Sequence, residues 1–429
     1  MSMGRYKEGA LNKILELFTD LDGERRYDVF VLMAAAMFPI HRSFTSVVIL
    51  AVFGLVSIIM FGKRYVDKGP VVIRTRYFLI STAYFLVAVL SLSYSRDFKV
   101  GLDFVVANSY LLFYPLFIFF FSRRFSERHI SLVIFSFILA CLLLTGFLHW
   151  KFYISGLYTD VGQRNYSIFP FRNVLLENRF HPTYVSMWLL FAALYLIHFV
   201  LVRRNGLIWT VLLAACTCLF VFTSILMSVK ITTVGFMLGI LALVYRMVKN
   251  KAVVVGVSGA LLILFTIAIT QISFLRARFI DEFVETKMEA PVGLATNSLN
   301  IRVGIYQCSW KVFRDNWLVG TGIGDAQHEL NACYDGFNTD AYREGNYNTH
   351  NNYLGIAVAT GVIGLVLFVL MFGFHFKHAV VNDNIVFVMF LILVVVSLLG
   401  ENILSRHQGV VFYSLFCSLF ASQNIQLEK

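Results

Sequence analysis

Apolar runs of about 20 residues follow one another along most of the chain, separated by short polar stretches, as expected of helices that cross roughly 30 Å of hydrocarbon. They predict spans near Asp28–Ile40, Phe44–Phe61, Tyr77–Leu92, Phe104–Phe121, Ile130–Trp150, Thr183–Val202, Leu207–Ser228, Ile231–Tyr245 and Ala252–Ile272. Three more follow at Tyr353–Phe376, Ile385–Leu399 and Gly409–Ala421. The period-two alternation of a β-barrel is missing, so the expected fold class is an all-α polytopic membrane protein with about twelve transmembrane helices. Four regions result: a polar start over 1–27, nine spans over 28–272, a polar insertion over 273–352, and the last three spans with a short tail over 353–429. A structureless loop as long as that insertion is uncommon, so it is expected to fold as a small domain or lid. In the polar start, Leu11, Ile14, Leu15, Phe18 and Leu21 keep helical spacing opposite Lys13, Glu16 and Asp20. That is the pattern of a short helix lying on a membrane surface, and it does not read as a cleaved signal peptide.

Composition agrees with the pattern. The 429 residues are 58% hydrophobic and 14% charged, with mean hydropathy +0.73, which excludes a water-soluble domain of this size. The formal charge of +11 is explained by where it lies. With a cytoplasmic N-terminus, the short inner stretches carry Arg25 and Arg26, then Lys63, Arg64, Lys68, Arg74 and Arg76, then Arg123, Arg124 and Arg128. Arg203 and Arg204, Arg246, Lys249 and Lys251, and Lys377 complete the set. The positive-inside rule is obeyed throughout, so the charge reports topology and no nucleic-acid partner is implied. Both long polar segments, 151–182 and 273–352, then fall on the outer face. Lys and Arg are scarce in the outer turns, which makes Arg42, Lys230 and Arg406 informative.

Candidate chemistry gathers on that face. Leu207 to Tyr245 is one apolar stretch broken by Lys230; it suffices for two crossings, so the turn falls near the lysine, which either snorkels or serves a site. In the insertion, Arg302, Ile305, Ser309 or Trp310, Val312 and Phe313 keep the spacing of an amphipathic helix outside the bilayer. A cation at the start of that helix opposes the dipole and invites an anionic partner for Arg302. Gly320, Gly322 and Gly324 do not have dinucleotide-loop spacing and read as a helix stop and turn. His350 precedes a span, with Thr349 and Asn351 as candidate caps. The dipole there disfavours added positive charge, and a neutral imidazole can accept a proton; the same helix end offers amides for phosphate. Arg179 and His181 close the first outer segment, while Glu401, Arg406 and His407 crowd the last outer turn. Cys308 and Cys333 are able to pair in an oxidising compartment, which spacing alone does not decide. Two templates fail: His328 heads HELNA, which has no second zinc histidine, and Asp20–Asp22 matches the acidic pair of nucleotide-sugar transferases only by chance. No metal or other cofactor is expected.

The ordered set resembles the O-antigen ligase and O-antigen polymerase superfamily of bacterial inner-membrane glycosyltransferases. The resemblance rests on THNNYLGIAVATGVIGL, beginning at Thr349, and IRVGIYQCSWKVFRDNWLVGTGIG, beginning at Ile301, with RFHPTYVSMW and SLLGENILSRHQGVVFY less specific. It covers the chain from Arg179 to the C-terminus, while the first half matches only in its pattern of spans. Such enzymes resemble class C glycosyltransferases. The resemblance implies a glycan donor on undecaprenyl diphosphate at the periplasmic leaflet and a sugar hydroxyl, on lipid A-core or another glycan, as acceptor. It further implies His350 as proton acceptor, and Arg302, Lys230, Arg179, His181, Arg406 and Glu401 as the diphosphate and substrate site, with inversion at the anomeric carbon. Relatives commonly have arginine where this chain has Lys230, which keeps the charge and loses the bidentate fork. The polymerase of the same superfamily shares this donor chemistry. A lipid-linked glycan transporter is the alternative from another class; such folds usually show repeats and mid-membrane charges, neither of which is present here.

Overall fold

The computed structural model describes residues 26–423 apart from 42, 64–70, 123–124, 155–170, 172–174, 177–179, 204–205, 272–275, 277–279, 282–283, 285–287, 294–296 and 344–346. The expected amphipathic helix near Leu11–Leu21 and the Asp20–Asp22 pair lie outside the described residues. In chain order the helices are α1 (Tyr27–Ala36), α2 (Ser43–Lys63), α3 (Val71–Ser91), α4 (Phe98–Asn108), α5 (Tyr110–Leu116), α6 (Glu127–Ile154), α7 (Pro182–Val202), α8 (Leu207–Leu226), α9 (Lys230–Met247) and α10 (Lys251–Gln271). After these come α11 (Ser298–Asp315), α12 (Ala326–Tyr334), α13 (Asn352–Val381), α14 (Ile385–Ser397) and α15 (His407–Ser422). Among the described residues eight helices are long and apolar enough to cross a membrane, with Phe98–Phe121 counted as one, and three shorter apolar helices accompany them. The chain is an all-helical, multi-pass membrane protein. Twelve crossings would need the shorter helices and α15 to span as well.

One compact unit comprises Met1–Thr82, Tyr110–Leu144 and Val411–Lys429. Its core is aromatic: Phe137 packs against Phe38 at 5.7 Å and Phe416 at 5.1 Å between ring centroids, and the Arg26–Asp28 ion pair is buried beneath Phe125. The expected first span, Asp28–Ile40, is not a single helix here. α1 ends at Ala36, and Pro39, which has no N–H and restricts Phe38, takes the chain into a 3₁₀ turn over Phe38–Ile40.

A second unit comprises Ala83–Ser109 and Thr145–Val410. Within it α7 is buried on nearly every side; α9 packs closely on α14 through Gly235 against Leu393, and on α7 through Gly239 against Leu194. The hydroxyls of Ser186, Ser224 and Thr232, all buried, satisfy one another across α7, α8 and α9. At the other end of these helices Arg246 pairs with Asp383, so the basic end of α9 and the α13–α14 turn share a face, as the charge pattern requires.

The expected span Tyr353–Phe376 is broken. Gly361, at φ 64° and ψ −165°, divides α13 into helical stretches 352–360 and 362–381. In a straight helix Tyr353 and Phe368 would stand about 22 Å apart along the axis, yet their ring centroids are 5.7 Å apart. The first stretch therefore bends back, leaving 362–381, about 30 Å long, for a crossing. Carbonyls freed by the break cannot stay unpaired at membrane depth. Thr321 N donates to Val358 O (2.9 Å), Gly322 N to Ala359 O (3.0 Å), and Val362 N to Trp317 O (2.8 Å).

The glycine-rich loop thus fills the break. Gly320 and Gly322 adopt φ +72° and +89°, consistent with the expected stop and turn, and a Cβ on Gly320 would lie 2.5 Å from Thr360 N. On its far side Ile323 N and Gly324 N donate to Ser91 and Ser95 hydroxyls, and the Asp325 carboxylate accepts from Arg96 N and Asp97 N. Two helices of the insertion complete the unit outside the spans. α11 is capped by Asn297 in a capping box with Asn300 and buries Ile305, Ser309 and Val312 as its spacing predicted, with Phe313 partly buried, Cys308 buried as well and Trp310 exposed. Cys308 is disulfide-bonded to Cys333 of α12, and both helices share a core with Val358 of the broken helix.

Candidate functional site

The Asn348–Asn352 segment is bound to the turn after α14 through Thr349, His350 and Asn352. Asn351 caps α13, accepting from Tyr353 N and Leu354 N, whereas Thr349, the other candidate cap, donates to Asn402 Oδ1 at 2.9 Å. Asn352 N donates to Leu398 O, and its side chain accepts from Leu404 N, both at 2.8 Å. Tyr184 of α7 closes the cluster by donating to Asn402 O. With the amides of Asn352, Tyr353 and Leu354 all taken, the expectation that they serve phosphate is overturned.

Between these anchors His350 is held at φ 43°, a left-handed conformation that costs a non-glycine residue about 1 kcal/mol or more and persists where surrounding structure enforces it. Its Nδ1 lies 3.1 Å from Glu401 Oε2. His181, immediately before α7, brings Nε2 to 3.7 Å from the same oxygen, and Glu401 Oε1 accepts from Asn402 N. Burial by itself pushes the Glu401 carboxyl up; the His350 hydrogen bond and the charges of His181, His350 and Arg406 outweigh it and bring it down to about 2. A carboxylate only accepts hydrogen bonds, so His350 Nδ1 must donate, and whenever the ring is in its neutral form Nε2 is the atom able to accept a proton.

Three cations stand at the same end of the unit as this pair. α9 begins at Lys230 after a turn in which Ser228 has φ 53°, as the charge in mid-run predicted. Ile231 packs against Gly400, where a Cβ would lie 2.8 Å from it, so half-buried Lys230 neighbours the turn that carries Glu401. Arg302 stands in the first turns of α11, half-buried, with Tyr306 one turn further on. Burial pushes the Tyr306 phenol up, Arg302 opposes this, and Glu401 reinforces it, so both charges reach one hydroxyl. Arg406 is exposed at the end of the Ile403–Ser405 turn. Of the expected site residues, His350, His181, Glu401, Arg302, Lys230 and Arg406 are thereby brought to one end of the unit; Arg179 lies outside the described residues.

Glu401 was expected at the substrate, and its first contact proves to be the histidine ring. Asn402 and Tyr306 escaped the sequence reading altogether. Tyr306 was findable, being four residues after Arg302 and on its helical face; no local signal marks Asn402.

Residues 217–369 match the family model described as O-antigen ligase, so the resemblance holds over the segment that contains Lys230, Arg302 and His350. His181, Glu401 and Arg406 fall beyond that match and join it only through the fold. No curated protein matches the chain.

Proposed function

We propose that the protein transfers a glycan from undecaprenyl diphosphate to a sugar hydroxyl of lipid A-core, at the periplasmic face of the bacterial inner membrane. The carrying observation is the Nδ1–carboxylate hydrogen bond that leaves His350 Nε2 ready to take a proton. Nε2 takes the acceptor hydroxyl proton as oxygen bonds to the anomeric carbon. The bond from that carbon to the phosphate oxygen breaks, its electron pair leaves with undecaprenyl diphosphate, and attack from the opposite side inverts the centre. Glu401 holds the ring and balances the charge it gains, a positioning role. Arg302, Lys230 and Arg406, joined by His181 and by Arg179, whose part in this reading rests on the sequence alone, stabilise the charge growing on the diphosphate. Side-chain cations supply this neutralisation, so excess EDTA is expected to leave transfer intact. The outward orientation is supported by the positive-inside pattern and by the Cys308–Cys333 disulfide beside the site, a bond that persists in oxidising compartments. Twelve crossings, with 273–352 outside, are part of the same reading.

Purified protein incubated with undecaprenyl-diphosphate glycan and EDTA, given either lipid A-core or a second lipid-linked unit, tests the proposal by product mass. Glycan on lipid A-core is expected. Glycan extended on the carrier would make the enzyme a polymerase, and lipid-linked glycan crossing liposomes without a new glycosidic bond would make it a transporter.

Lys230 separates a site cation from a snorkelling one. Lys230→Gln is expected to slow transfer about 10²-fold, because a neutral amide cannot balance charge in a partly dehydrated site. Lys230→Arg should retain most activity, its guanidinium being able to grip phosphate with two hydrogen bonds. Equal initial rates for all three proteins at equal membrane abundance would remove Lys230 from the site.

A further inference from the structure

The insertion presents a chain of tyrosines to the histidine. Tyr334 and Tyr342 stack at 4.8 Å and are buried, Tyr342 donating to Ile301 O; these two hold the insertion together. Tyr347 follows, edge-to-face with Tyr342 at 5.9 Å and 6.0 Å from the His350 ring. Tyr306 packs on the same core from α11. Tyr347 and Tyr306 differ from the other two in exposure: each is only partly buried and neither phenol hydrogen-bonds to a described residue, whereas the Tyr334 hydroxyl, also without a partner, is sealed inside the core. A tyrosine that merely fills a core is buried, with its ring and hydroxyl out of a ligand's reach. Two that leave ring surface and hydroxyl open, one against the proton acceptor and one a turn from Arg302, are equipped for a ligand with both an apolar face and hydroxyls.

A pyranose ring is such a ligand. Its axial C–H face packs on an aromatic ring and its rim of hydroxyls meets phenol oxygens. We infer that Tyr347 and Tyr306 form the acceptor subsite, holding the terminal pyranose so that its nucleophilic hydroxyl lies at His350 Nε2. This deepens the proposed transfer and rests on it. A terminal pyranose on either acceptor class, lipid A-core or a lipid-linked glycan, fits the same subsite. Burial and the Glu401 charge keep the Tyr306 phenol protonated, able to donate to a sugar oxygen.

The test is steady-state transfer from undecaprenyl-diphosphate glycan to lipid A-core, varying each substrate in turn. Wild-type product formation tests the transfer itself; the variants test the subsite. Tyr347→Leu is expected to raise the acceptor KM about tenfold and leave the donor KM within about twofold, the size of one lost aromatic contact. Tyr347→Phe, which keeps the ring, should recover most of that loss. Tyr306→Leu should raise the acceptor KM similarly, and it decides the matter alone if Tyr347→Leu does not accumulate in the membrane. An unchanged acceptor KM in the leucine variants, or donor and acceptor KM rising together, overturns the subsite while the transferase reading stands. Absence of wild-type transfer would instead overturn the transferase reading.

Discussion

His350→Ala is expected to lower transfer at least 10²- to 10⁴-fold, the usual range for losing a general base, while the protein stays in the membrane at normal abundance. Asn351 supplies the helix cap and Asn352 the backbone cross-bond, so the fold does not need the imidazole. Glu401→Gln is the more searching variant because it preserves shape. Its amide can turn an N–H toward His350 Nδ1, and the ring then places its proton on Nε2, where it cannot accept another. A loss of about 10²-fold or more is expected from that tautomer reversal alone, as when a buried carboxylate behind a catalytic histidine becomes an amide. Since the Glu401 carboxyl sits at about 2, Glu401 stays ionised through neutral and mildly acidic pH, and any acidic loss of activity must come from another group. Near-normal rates for Glu401→Gln, with folding checked by thermal melting, would take Glu401 out of the mechanism. Near-normal rates for His350→Ala would end the proposed chemistry.

How far the sequence disclosed this site follows from how each residue is recruited. Lys230 was legible because a single charge inside an apolar stretch leaves the turn nowhere else to fall, and the structure begins α9 there. Arg302 and the helix bearing it were legible from period alone. The histidine–carboxylate pair was not, because His350 and Glu401 are 51 residues apart in sequence and nothing local distinguishes a carboxylate that pairs with a ring from one that binds substrate. A uniform apolar run also hid the break in α13. Hydropathy registers that 353–376 prefers lipid, but it is blind to a glycine whose positive φ lets the helix fold back. The partner that makes this break tolerable, the loop at Gly320–Gly324, was read correctly as a turn and given no destination. Ser91, Ser95 and the Arg96–Asp97 amides, which hold the loop from its other side, carry no local pattern that marks them.

That loop controls where His350 stands, and its removal should be nearly as damaging as removal of the ring. Stretch 352–360 begins two residues after His350 and ends against the loop. A Cβ on Gly320 would lie 2.5 Å from backbone atoms of Ala359 and Thr360, which cannot rotate away as a side chain would. Gly320 also has φ +72°, so alanine there is strained as well as crowded. Gly320→Ala is therefore expected to push 352–360 off the loop, shift His350 by a fraction of a residue length, and lower kcat about 10²-fold, the scale on which a misplacement near 1 Å is felt. The donor KM should change little, because Arg302 and Lys230 lie on α11 and α9. Gly361→Ala, with φ +64° and Leu318 O in the way, should behave alike. Gly373 lies in the same helix, where an added Cβ would meet nothing within 4 Å, so Gly373→Ala controls for a glycine change that touches no loop and should work at the wild-type rate. If Gly320→Ala matches Gly373→Ala in kcat at equal abundance, the loop only closes the helix break, and the placement of His350 depends on the Asn402 and Leu398 cross-bonds alone.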